Sequence, residues 1–273
     1  MQIKFFCPKW GSDNISWDSF CGKVKEAGFD GVETPIPPDE ATRAEIAAAL
    51  QKYGLLFIAQ FYQSFEMDFD KHKHNYRQDL ESLAAMRPLF IDAQTGKDYF
   101  TPAQNGELFK VAQQVTNETG VLIAHETHRN KALFAAHVTK ALLTENPDMV
   151  ITADFSHWCA VSESLLEQQQ EAMQMAISRA VHIHARVGHI QSAQVSDPRA
   201  PEWQAEVNVH LQWGDAIVQN RLKQGVAMQT ITPEFGPIPY MTALPYTRMP
   251  VASQWDINVY MMHLLKERYK DIG

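Results

Sequence analysis

VLIAHETHRN, residues 121–130, is the stretch whose reading decides the fold. Its first six residues form an apolar run of strand length that ends in a carboxylate and is followed by a polar tip. Side chains alternate faces along a strand. Glu126 and His128 therefore project to one side, with Leu122 and Ala124 beneath them, while His125 faces the other way. Burying a carboxylate and an imidazole at the end of a core strand is costly unless a metal ion or a polar ligand compensates them. The question becomes whether other strands end in the same manner.

Seven further apolar runs read as strands: residues 3–7, 30–36, 55–61, 89–92, 150–155, 180–187 and 227–234. Helical periodicity fills the intervals. Ser16 caps a helix over 16–27 that Gly28 stops, residues 41–53 end at Gly54, and residues 68–86 form a long polar-faced helix. Thr101-Pro102 opens a helix closed by Gly120, and further helices cover 132–143, 165–177, 202–222 and 254–269. Strands that alternate with helices pair in parallel through crossovers. Eight such units ending in a helix predict a single (β/α)₈ TIM barrel over residues 1–273, one catalytic domain. The first βα turn, CPKWG, lacks the glycine-rich fingerprint of a dinucleotide-binding open sheet.

Composition narrows the function. Acidic residues outnumber basic ones 32 to 24, for a formal charge of −8. That balance argues against a nucleic-acid partner, whose phosphates call for a basic face. No apolar run reaches the ~20 residues of a membrane helix, and MQIKFFCPKW reads as a first strand with no signal-peptide core. Cys7, Cys21 and Cys159 are scattered and odd in number, so neither a zinc ribbon nor a disulfide scaffold is expected. These features predict a cytoplasmic enzyme of small molecules; a homo-oligomer is compatible with them.

In such a barrel, chemistry gathers where strands end. The fifth strand ends in Glu126, then His128. The sixth carries Asp154 with His157 three residues on, the seventh carries His182 and His184 with Arg186 above, and the eighth ends in Glu234. Three carboxylates meeting in one cleft repel unless a cation separates them. One divalent cation, Mn²⁺, Mg²⁺, Co²⁺ or Zn²⁺, suits carboxylate oxygens plus one imidazole.

ETH at 126–128, DFSH at 154–157, HIHARVG at 182–188 and TPEFG at 232–236 resemble the sugar phosphate isomerase/epimerase families of the xylose isomerase-like TIM-barrel superfamily, and the resemblance runs from GFDGVE at 28–33 to the last helix. It implies that Glu126, Asp154, His184 and Glu234 hold one catalytic metal. It also implies that Glu126 and Glu234 move a proton by acid/base work through a metal-stabilised enediolate, and that His157, Arg186 and His128 contact the substrate. The substrate would be a small sugar, sugar phosphate or related polyhydroxy carbonyl compound, isomerised or epimerised. A metal-dependent dehydratase of a cyclic polyol ketone is the alternative. An abasic-site endonuclease is disfavoured by the acidic balance and by the missing histidines on the early strands. HARVGH departs from the ketose epimerase pattern, so no single substrate carries over.

Of the two inward histidines, His184 lies nearer the rim and His182 is expected as a hydrogen-bonded support in the interior. His125 should pack against helices. Glu33, Asp92, Lys9, Trp10, Gln60 and Tyr62 follow early strand ends; a place in the pocket wall and a local structural role are both open for them. Arginine favours bidentate oxyanion contacts, so a phosphate, a carboxylate or a structural pair are all open as partners of Arg186 and Arg199.

Overall fold

The eight apolar runs pair edge to edge, all in parallel, and the ring closes between the last and the first. In the computed structural model, which describes residues 1–63 and 65–272, the strands are β1 (Gln2–Pro8), β2 (Gly31–Pro35), β3 (Leu56–Phe61), β4 (Ile91–Ala93), β5 (Ile123–Glu126), β6 (Ile151–Ala153), β7 (Ala180–His184) and β8 (Met228–Thr232). They form a closed barrel in sequence order. Gln2 lies opposite Met228 and Phe5 opposite Ile231 at the closing seam, and closure leaves no unpaired sheet edge.

The helices are α1 (Trp17–Ala27), α2 (Glu40–Tyr53), α3 (Phe69–Ala84), α4 (Pro102–Thr119), α5 (Ala136–Glu145), α6 (Ser156–Ser162), α7 (Gln170–Arg179), α8 (Gln204–Lys223) and α9 (Gln254–Arg268). Where a side chain caps a helix, the sequence announces it. Ser16 accepts from the Ser19 amide, Thr101 and Gln104 form a capping box, and Gly28, Gly54 and Gly120 close their helices in the left-handed conformation. Where no side chain caps, the reading shifts. α5 and α7 begin after Ala135 and Gln169, which make no capping bond, four and five residues later than the periodicity suggests. α6 is an addition to the expected order and follows Asp154 almost directly. β5 starts at Ile123, so Leu122 lies below the barrel, 40% exposed, and is not a rung of the inner face.

Inside the ring the lower end is apolar. Phe6, Ile58, Phe90 and Ala124 form a plug separate from the main core between strands and helices. Gly31 makes room for it, since a Cβ there would lie 2.4 Å from the Phe6 ring and 2.6 Å from the Leu56 carbonyl. Above the plug the inward positions turn polar, and the functional groups stand on this dry floor. No helix among the described residues is long and apolar enough to cross a membrane.

Candidate metal centre

β5 through β8 bring four donors to one point. One oxygen or nitrogen from each of Glu126, Asp154, His184 and Glu234 lies within 4.8 Å of the other three, and all four residues are buried. Ligands held ~2.0–2.2 Å from one cation stand at most about 4.4 Å apart, close to the spread of these four atoms.

Each donor is held by its own element. Thr127, just past β5, staples the tips of β5 and β6: its Oγ1 donates to the Asp154 carbonyl at 2.8 Å and accepts from the Asp154 amide at 2.8 Å. Asp154 Oδ1 accepts from the Ser156 amide at 3.1 Å and from the Ser156 hydroxyl. Its Oδ2 accepts from Arg186 Nη2. Glu234 Oε1 accepts from Gln60 Nε2 at 2.9 Å, a bond across the barrel from β3. The segment after Glu234 is fixed by Asn258 of α9, which accepts from the Phe235 amide at 2.9 Å. Trp10 packs closely against Gly236, where a Cβ would come within 2.2 Å of its ring.

Two buried atoms in the cluster lack a hydrogen-bond partner: His184 Nδ1 and Glu126 Oε1. Nδ1 is 2.9 Å from Glu234 Oε2 and 3.6 Å from Glu126 Oε1, but the first contact is out of line for an N–H donor and the second is beyond hydrogen-bond range. An imidazole nitrogen that faces carboxylate oxygens without a hydrogen bond belongs to the donor set of a divalent cation. The residues therefore fit the metal that the strand ends suggested.

The electrostatics agree. Burial alone would lower His184, but Glu234, Glu33 and Glu126 outweigh it and push its pKa well above the usual imidazole range. Burial raises Asp92, and the nearby Glu126 raises it further. Burial also dominates at Glu126, which is raised despite His184. At Glu234, His184 and Arg186 overcome burial and hold the carboxyl low. A metal-free site thus keeps protons that a cation would displace.

The three residues expected at the substrate behave differently from one another. His157 Nε2 lies 2.8 Å from Arg186 Nη2, and the His157 ring packs on that of His128 with centroids 3.8 Å apart. Burial and the neighbouring Arg186 keep both imidazoles neutral, His128 down to about 3. Arg186 is fully enclosed, bonded to Asp154, Ser156 and His157, 3.5 Å from Glu234 and stacked on Tyr240. It has a structural hold on two of the four donors besides its place on the cavity wall. Arg199 is engaged by Asp197 in its own loop at 2.7 and 2.8 Å and does not line the cavity.

A cavity of about 480 Å³ opens above the cluster. Lys9, Trp10, Gln60, Tyr62, Asp92, Glu126, His128, Arg186 and Glu234 line it. Tyr240, from the proline-rich loop after β8, also lines it, and was not singled out in the sequence because nothing in a loop betrays which side chain folds back. Lys9 donates to the Ser12 carbonyl and is occupied locally. His125 faces outward as expected, 2.7 Å from Thr95 Oγ1 and against Phe109. His182 lies in the interior beneath His184, 2.7 Å from Thr230 Oγ1. Glu33 stands inside the barrel, 3.1 Å from both His182 Nε2 and His184 Nε2, so it is neither a loop cap nor a rim residue.

No protein-family profile matches the chain, and no curated protein matches it by sequence. Solved structures do. The 3-keto-D-glucoside 4-epimerase of E. coli superposes with a TM-score of 0.62 at 14% identity, covering 97% of this chain and 100% of the other. A xylose isomerase-like TIM barrel protein from Mycobacterium smegmatis, solved in complex with magnesium, gives 0.63 at 10% identity, covering 97% of each chain. The probable 3-DHS dehydratase of Bacillus anthracis gives 0.58 at 18% identity, over 96% and 98%. The chain shares with them, over nearly its whole length, the fold of the xylose isomerase-like TIM barrels.

Proposed function

We propose that the protein is a divalent-metal-dependent isomerase or epimerase of a small polyhydroxy carbonyl compound. The observation that carries this is the pair of buried atoms without a hydrogen bond, His184 Nδ1 and Glu126 Oε1, within a four-donor cluster at the floor of an open cavity. Glu126, Asp154, His184 and Glu234 would hold the cation. When bound, it would polarise a substrate carbonyl and acidify the neighbouring C–H. Glu126 and Glu234 approach from strands three apart in the ring. One carboxylate removes the proton and the other returns it, to the opposite face or the adjacent carbon. His128, neutral, and Arg186 orient substrate oxygens, while the neutral His157, bonded to Arg186 and off the cavity lining, supports Arg186 instead of touching substrate as the resemblance implied. Trp10 and Tyr240, packed edge to face with centroids 5.2 Å apart, wall the cavity and exclude water around a bound sugar.

The fold neighbours include both an epimerase and a probable dehydratase, and the test separates these chemistries. The protein is incubated with Mn²⁺, Mg²⁺ or Co²⁺ in D₂O against a panel of ketoses and keto-glycosides, and products are read by NMR and mass. The expected result is metal-dependent deuterium incorporation beside the carbonyl with the carbon skeleton and its oxygens conserved. Exchange that survives chelation, or that persists in full in both Glu126→Gln and Glu234→Gln, overturns the proposal. Loss of water from the substrate would assign the site to a dehydratase.

A further inference from the structure

Glu33 is a carboxylate that the proton-transfer reading leaves without a task. It leaves β2 and reaches across the barrel to β7 and β8, three and two strands away around the ring. Its side chain is fully buried and both its oxygens are occupied. Oε1 lies 3.1 Å from His184 Nε2, while Oε2 lies 3.1 Å from His182 Nε2 and accepts from the Thr232 hydroxyl. An ionised carboxylate only accepts, so a ring nitrogen bonded to it must carry the hydrogen.

The consequence for His184 follows from ring chemistry. With Nε2 committed as the donor to Glu33, Nδ1 is the one nitrogen that can present a lone pair. Nδ1 is also the atom that faces Glu126 and Glu234 without a hydrogen bond. His182 stands behind the carboxylate: Thr230 Oγ1 holds its Nδ1 at 2.7 Å, and its Nε2 meets Glu33 Oε2. Thr230, His182 and Glu33 thus form a buried file that ends on the back of the candidate ligand.

We propose that Glu33 is a positioning residue of the metal centre: it fixes the orientation and tautomer of His184 so that Nδ1 faces the cation. The inference rests on the metal reading above. It assigns no proton-transfer step to Glu33 and no direct contact with metal or substrate. Outer partners of this kind typically alter metal affinity by roughly 10–100-fold when removed.

The test uses the whole protein, freed of metal, with three variants. Glu33→Met keeps the unbranched shape and removes both acceptors. Thr232→Val removes a donor to the same carboxylate but leaves the bond to His184. Manganese affinity by calorimetry should fall roughly 10–100-fold in Glu33→Met and stay within about threefold of wild type in Thr232→Val. The second readout is ¹⁵N-edited NMR of histidine-labelled protein, which should resolve two slowly exchanging imidazole N–H protons, from His182 and His184, that are lost in Glu33→Met. Equal affinity in wild type and Glu33→Met, or equal losses in both variants, overturns the assignment. If Glu33→Met does not fold, Glu33→Gln is read by the same protons: its single acceptor oxygen should leave one of the two signals, and retention of both overturns the proposal. Wild-type protein that binds no manganese would refute the metal reading itself, while the N–H signals would still report whether Glu33 orders the two rings.

Discussion

Replacing Gly188 with alanine tests the geometry of the site without touching any of its donors. A Cβ at Gly188 would lie 2.6 Å from the Ser156 carbonyl oxygen, 2.8 Å from its Cβ and 2.9 Å from its Cα, where ordinary contact begins at 3.4 Å. Gly188 is tied in place, because its amide donates to His210 Nε2 at 3.2 Å. Ser156 must therefore move by about 0.8 Å, the shortfall in the closest of these contacts. Overpacking of this kind costs about 1–3 kcal/mol, and for a chain this long each kcal/mol lowers Tm by roughly 2–4 °C. Ser156 is also what orients Asp154, through its amide and its hydroxyl. Gly188→Ala should thus weaken manganese binding, by about tenfold or more on the scale of such support contacts, and lower Tm. Gly106→Ala is the control, since a Cβ there meets nothing within 4 Å and alanine is the better helix former by about 1 kcal/mol. Calorimetric titration and thermal unfolding of the three proteins decide the matter. A Gly188→Ala protein with wild-type Tm and wild-type manganese affinity would refute the packing argument.

Other outcomes follow from the same contacts. Thr127→Val leaves the buried Asp154 amide, which Thr127 accepts from at 2.8 Å, without a partner; it should cost about 1–3 kcal/mol in denaturant unfolding. In the metal-free protein His184 is held well above its ordinary 6.5 and keeps its proton at neutral pH. Cation binding must expel that proton, so affinity should rise by about tenfold per pH unit until the raised pKa is passed, measurable as proton release in buffers of different ionisation enthalpy. His125 is lowered from 6.5 to about 3 by burial. Between those values the unfolded chain holds a proton that the folded one lacks, so stability falls as pH drops through this window. At pH 5 the loss from His125 alone is about 2 kcal/mol, and unfolding free energies that stay level from pH 7 to 5 would contradict it. Glu126→Gln and Glu234→Gln should each slow solvent deuterium exchange into substrate by about 10²–10⁴-fold while leaving Tm near wild type.

The barrel was legible because its signals are local. Apolar runs, the capping serine and threonine at 16 and 101, and the stop glycines at 28, 54 and 120 each act within a few residues of where they stand. The convergence of Glu126, Asp154, His184 and Glu234 was legible too, since strand parity and closure together send the four strand ends to one rim. What escaped depends on partners far away in sequence. Parity places Glu33 on an inner face but says nothing of histidines 149 and 151 positions later. The same holds for the Gln60 bond to Glu234 and for Tyr240, which returns from a loop with no periodicity. Thr127 was missed because a hydroxyl between two functional residues looks like filler until its strand neighbour is known. α6 was missed because Phe155, at its start, offers no capping oxygen.

The account stands or falls on one divalent cation shared by four side chains. Anomalous diffraction from crystals soaked in manganese locates it directly. The predicted result is a single strong peak bounded by Glu126, Asp154, His184 Nδ1 and Glu234, absent from crystals of Asp154→Asn. A cavity without a peak, or a peak seated between Glu33 and His182 instead, would contradict the account.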